Sequence, residues 1–141
     1  MDAAQALADL TEISSQIQAA VIVDSDGGVL ASTLSDESRA ERVARAAHEL
    51  LETAGRVAPA EGDGKPLVQL QAATLEGSIF VVRDGARMIT ATTSPEPTVG
   101  LVFYDLKSCL RAVSAEDGDE KAKRPAQRRR PAAEEERDAA P

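Results

Sequence analysis

The chain has 141 residues, a formal net charge of −8, 43% hydrophobic but only 2% aromatic residues, and a single cysteine. That length holds one domain. The acidic balance excludes a nucleic-acid binder that works by neutralising phosphates, and a lone cysteine excludes an internal disulfide framework.

Residues 2–17 read as a first amphipathic helix, with Ala3, Leu7, Leu10, Ile13 and Ile17 on one side at helical spacing. Two apolar strands follow near 18–24 and 28–33. Between them Asp24-Ser25-Asp26-Gly27-Gly28 supplies residues suited to a tight hairpin. Ser35 or Asp36 caps a second helix of about 36–55, and Gly55 is its expected stop. Its apolar arc is Val43, Leu50, Ala54, Ala47, Ala40, Leu51 and Ala44, so small that another backbone can approach closely. Arg39, Glu41, Arg42, Arg45, His48, Glu49 and Glu52 fill the rest.

Residues 56–66 read as a flexible loop. Three strands are expected at about 67–74, 78–84 and 87–93. The first alternates apolar and polar from Val68, as a strand with one buried face does. Ile79-Phe80-Val81-Val82 reads as a central strand covered on both faces. Asp84-Gly85 is a second hairpin signal. After Ser94-Pro95-Glu96-Pro97, a last helix of about 98–113 carries the stripe Val99, Val102, Phe103, Leu106, Cys109, Leu110 and Val113. Leu, Ile, Val and Phe are absent thereafter. The domain is thus expected over 1–113, with a disordered, charged, Ala/Pro-rich tail over 114–141.

The chemistry-bearing residues form no catalytic set. His48 sits at the edge of a polar helical arc, and Cys109 on a buried stripe reads as an inert core thiol. Asp24-x-Asp26-Gly27 begins like a calcium loop, but Ser35 stands where the closing Glu belongs, so a plain turn is expected and no metal. Gly62-Asp63-Gly64-Lys65 fails the phosphate-loop pattern at Pro59 and Pro66. No catalytic residue, cofactor or metal site is assigned. Arg39, Arg42 and Arg45 read either as a solvated face paired with Glu41, Glu49 and Glu52, or as a partner surface. The start lacks a basic, continuously apolar secretory signal, and nothing approaches a membrane span, so a cytoplasmic protein without stable membrane insertion is expected.

The order helix, two strands, helix, three strands, helix gives an α/β fold of the α+β type: a five-stranded antiparallel sheet with helices on both faces. AAVIVDSDGGVLAS (19–32), the alanine-rich helix Glu41–Leu51, GSIFVVRDGARMITATT (77–93) and Thr98-Val99-Gly100-Leu101-Val102 resemble the roadblock domain family of dynein light chains and bacterial and archaeal GTPase regulators, which implies a roadblock/profilin-like fold. Pro97 departs from it, standing where the family often has a small polar residue. The resemblance implies a non-enzymatic homodimer in which second helices pack together and third strands pair edge to edge. It places Ala40, Ala44, Ala47, Leu51, Val68 and Leu70 at the dimer interface. An uncharged stretch from Leu67 to Leu75 agrees, because an unpaired edge there invites association. The implied partner is a small Ras-like GTPase, met by Arg42, Arg45, Glu49 and Glu52. Two other classes stay open: a small-molecule sensor of the PAS or GAF type, disfavoured by scarce aromatics and alanine-lined helices, and an oligomeric scaffold without a GTPase.

Overall fold

A computed structural model describes residues 1–57 and 68–122, with the side chains of the last helix described as far as Ser114. Asp2 caps α1 (Ala3–Ile13), its carboxylate accepting the Gln5 N–H at 2.8 Å. This helix ends earlier than its periodicity predicts. Ser14 adopts extended backbone, its N–H bonds the Leu10 carbonyl at 2.9 Å, and Ile17 opens β1 (Ile17–Val23) opposite Thr93. Ile13, expected on the buried stripe, is therefore 73% exposed.

Asp24 builds the first turn. Its Oδ1 accepts the N–H groups of Asp26 and Gly28, each at 2.9 Å, and Gly27 takes a φ of 87° that favours glycine. The chain returns as β2 (Val29–Ser32). Asp36, not Ser35, caps α2 (Glu37–Val57), accepting from Ser38 and Arg39. Gly55 does not stop this helix. Arg56 and Val57 belong to it, and the remainder of the expected 56–66 loop lies outside the described residues.

β3 (Gln69–Ala73), β4 (Ser78–Asp84) and β5 (Arg87–Thr93) form a meander. Gly85, at φ 63°, holds the first central position of the two-residue β4–β5 turn, the position that a II′ turn reserves for glycine. At Gly77 the need is different: a Cβ there would collide with the Thr93 carbonyl oxygen. The last helix, α3 (Val99–Ala122), runs beyond Val113. The helix assignment thus reaches nine residues past the last apolar position of the stripe. Residues 123–141 lie outside the described residues.

The sheet is antiparallel throughout, in the order β2-β1-β5-β4-β3. It has the expected five strands, with α1 and α3 on one face and α2 on the other. Phe80 and Val82 pack under α1 and α3 while Val81 packs under α2, so the Ile79–Val82 run is covered on both sides as read. Phe80 meets Phe103 edge to face, ring centres 5.0 Å apart. On the last-helix stripe Val102, Leu106, Cys109, Leu110 and Val113 are buried, but Val99 at the first turn is exposed. Among the described residues no helix is long and apolar enough to cross a membrane.

Candidate functional site

Helix α2 divides into two faces. Ala40, Ala44, Ala47 and Leu51 are buried against Val21, Val23, Val81 and Met88 of the chain's own sheet. Four small or well-fitted side chains let the helix settle close to the strands. In the single chain these residues, which the resemblance places at a dimer interface, pack against the chain's own sheet. Of the set placed at the interface, only Val68 and Leu70 retain accessible surface, Val68 being 51% exposed and Leu70 half-buried.

The opposite face of α2 carries Arg42, Arg45, Glu49 and Glu52, all exposed. Arg42 donates to the Ser38 hydroxyl at 2.9 Å. Arg45, Glu49 and Glu52 have no hydrogen-bond or ion-pair partner among the described side chains, so the salt-laced face expected from the i, i+4 spacings does not form. His48 is exposed on the same side. Leu50 and Val57 add exposed apolar surface to the helix. Helical periodicity misses Leu50 as a surface residue although the signal is present: of the adjacent pair Leu50-Leu51, only one can face the sheet.

Beside this helix lies the edge strand β3, paired only to β4 among the described residues. Arg83 donates its N–H to the Val68 carbonyl at 2.8 Å, and Thr74 donates to the Gly77 carbonyl at 2.8 Å. Alternation along an antiparallel ladder then directs the backbone groups of Val68, Leu70 and Ala72 toward β4 and those of Gln69, Gln71 and Ala73 outward. Leu70 and Ala72 share the α2 face with Val81 and Ile79 through their register. α2 itself covers β1, β2 and β5, so Leu70, Ala72 and Ile79 are only half-buried. Among the described residues the result is an uncharged edge paired on one side only, flanked by half-covered apolar side chains and by a helix on which Arg45, Glu49 and Glu52 have no partner.

The remaining candidates resolve as structural. Cys109 is buried, donates its thiol to the Ala6 carbonyl at 3.5 Å, and has its pKa pushed up to about 11 by burial and then by the nearby Asp9 charge. Such a thiol is a poor nucleophile. Asp24 spends its carboxylate on its own turn. Among the described residues no three His, Cys, Asp or Glu side chains are grouped to hold a metal. The Gly62–Lys65 stretch lies outside them.

A sequence model of the Roadblock/LC7 domain matches residues 4–93, from α1 to the end of β5. Among curated protein sequences none matches the chain. Solved structures do. A Roadblock/LC7 domain from Streptomyces avermitilis superposes with a TM-score of 0.72 at 18% identity, over 82% of this chain and 98% of its own. The gliding protein MglB of Thermus thermophilus gives 0.66 at 14% identity, over 80% and 86%. An MglB structure with a tetrameric arrangement gives 0.59 at 16% identity, over 80% and 85%. At these identities the likeness is one of fold.

Proposed function

The chain belongs to the Roadblock/LC7 domain family, and from that premise we propose that it is a non-enzymatic, cytoplasmic regulator or scaffold that self-associates and binds a small Ras-like GTPase. Two copies join through β3, edge to edge, with Val68, Leu70 and Ala72 closing over the half-covered sheet. The α2 helices then lie side by side as a platform. Arg42, Arg45, Glu49 and Glu52 make the polar contacts to the GTPase and modulate its nucleotide cycle or location. Hydrolysis, where stimulated, comes from repositioning of the GTPase's own residues.

The observation that carries this reading is the pairing of an uncharged strand edge with a helix on which Arg45, Glu49 and Glu52 find no partner among the described residues. The tetrameric arrangement of one MglB structure supports self-association as a property within reach of the fold. The sensor alternative has less support, since Phe80, Val81, Val82 and Ile89 are buried in the two sheet–helix layers.

The test is titration calorimetry against the small GTPases of the same genome, loaded with GDP or a non-hydrolysable GTP analogue. Binding to one of them is expected, with a preference between nucleotides. Arg45→Glu should weaken it at least about tenfold, a loss of about 1.4 kcal/mol, while leaving thermal stability unchanged. Failure of every GTPase to bind, or full binding by the variant, removes the reading.

A further inference from the structure

A cleft of about 240 Å³ opens between the middle of α3 and the β3–β4 side of the sheet. Val82 and Leu110, both buried, close its base, and the exposed Val68 borders it. Lys107 and Arg111 line it from α3, Arg83 and Asp84 from β4. Lys107 and Arg83 are half-buried, Arg111 and Asp84 exposed. Three cations against one carboxylate give the lining a net +2, in a chain whose formal charge is −8. Lys107 and Arg111 stand four residues apart on one side of the helix, where like charges repel. The positions that could supply a counter-charge, three and four residues away, hold Phe103, Tyr104 and Leu110 around Lys107, and Ser108, Ser114 and Ala115 around Arg111. Arg111 donates to the Ser108 hydroxyl at 3.3 Å, and neither cation has an ion-pair partner among the described residues. The Arg83 Nε is buried and has no hydrogen-bond partner among them either. A half-buried ammonium beside a like charge is unfavourable, and an anion in the cleft offsets it.

Size and charge select the occupant. A cleft of this volume lies below the range that buries a drug-sized molecule. It therefore takes a head group with a short apolar stem, the stem against Val68. A net +2 matches a phosphate monoester, which carries about −1.5 to −2 at neutral pH, better than it matches a single carboxylate. Guanidinium and ammonium groups are the usual donors to phosphate oxygens. An acidic macromolecule fits less well, because beyond the cleft it meets the negative charge of the rest of the chain. We propose that this cleft binds a small phosphate monoester, its oxygens held by Lys107 and Arg111 and attracted by the charge of Arg83. The site does not depend on the GTPase reading, since α3 and α2 lie on opposite faces of the sheet.

The experiment is titration of the ¹⁵N-labelled full chain with butyl phosphate, inorganic phosphate, pentanoate and hexaglutamate at constant ionic strength, read from amide shifts. Butyl phosphate is expected to shift the amides of Val68, Arg83, Lys107 and Arg111 and to saturate. Inorganic phosphate, which lacks the stem, should shift the same set several-fold more weakly, and pentanoate at least about tenfold more weakly. Lys107→Gln/Arg111→Gln should weaken butyl phosphate at least about tenfold. Asp84→Asn, which removes the one acid of the lining, should tighten it several-fold. Thermal midpoints should stay where they are in both variants. Unchanged binding by the double variant overturns the proposal, as do shifts that spread equally to the arginines of α2, which mark loose ion pairing. Equal binding of pentanoate, or tighter binding of hexaglutamate, overturns it as well, since the cleft would then take carboxylates or an acidic peptide.

Discussion

The two ends of the sheet are built to opposite specifications. At one end β2 has four residues, and its register with β1 shifts between Ile22 and Val23. α1 packs along it. A short, bulged, flanked strand is a poor template for another chain. At the other end β3 pairs with β4 in unbroken register from Gln69 to Ala73 and carries no charge. Its outward backbone groups are flanked by a half-covered apolar face. One sheet thus has a blunted edge and an open one, and the contrast says more than either alone. Exposure of strand backbone is managed where it serves nothing and left where, in the reading proposed above, a second copy pairs.

The largest effect is expected from breaking the hairpin that holds the open edge. Thr74 Oγ1 accepts the Glu76 and Gly77 N–H groups and donates to the Gly77 carbonyl, while the bare Cα of Gly77 lies against Thr93. Gly77→Ala inserts a methyl into backbone, which cannot swing aside as a side chain does. A loss of about 2–3 kcal/mol or more is expected by urea denaturation. The turn between β1 and β2 provides the control. Gly28 has only the Asp24 carboxylate nearby, at 3.4 Å, so Gly28→Ala should cost far less. Equal losses would mean that Gly77 is not the constraint.

A smaller but more specific effect separates the edges themselves. Gln71 directs its N–H outward, so Gln71→Pro deletes a donor at the open edge without touching the β4 ladder. In a two-fold interface the deletion counts twice. Self-association, followed by sedimentation velocity across concentration, should weaken at least about tenfold. Leu30→Lys, on the exposed side of β2, should leave it unchanged. Should Leu30→Lys dissociate the assembly while Gln71→Pro does not, the open and blunted edges have been assigned the wrong way round.

The edge position of β3 came from the family resemblance, with which the uncharged stretch from Leu67 to Leu75 agrees; the contrast between the faces of α2 was not legible at all. On α2, helical periodicity picks out the apolar arc but carries no information on whether its alanines meet the chain's own sheet or another molecule. An outward assignment of Ala40, Ala44 and Ala47 fits the periodicity equally well, and they face inward. The early end of α1 was hidden because Ile17 keeps helical phase while its pairing with Thr93, far along the chain, makes it a strand residue. α3 also outruns its apolar stripe, which ends at Val113 and so marked an earlier end.

The smallest effect concerns the face without an open edge, where α1 and α3 close over Cys109. Burial, and then the charge of Asp9, raises this thiol from 9.0 to about 11. The unfolded chain releases the proton at the lower pH, so the neutral thiol favours the folded state below pH 9. That contribution is lost as pH rises through 11. Denaturation midpoints compared at pH 8 and at pH 10.5 should fall further in the native chain than in Cys109→Ala, which has no thiol to ionise. Asp9→Asn removes the second cause and leaves the first, so its fall should lie between the two. An identical fall in all three would place the alkaline sensitivity outside this thiol. A fall that tracks the thiol marks the α1–α3 layer as closed to solvent around Cys109.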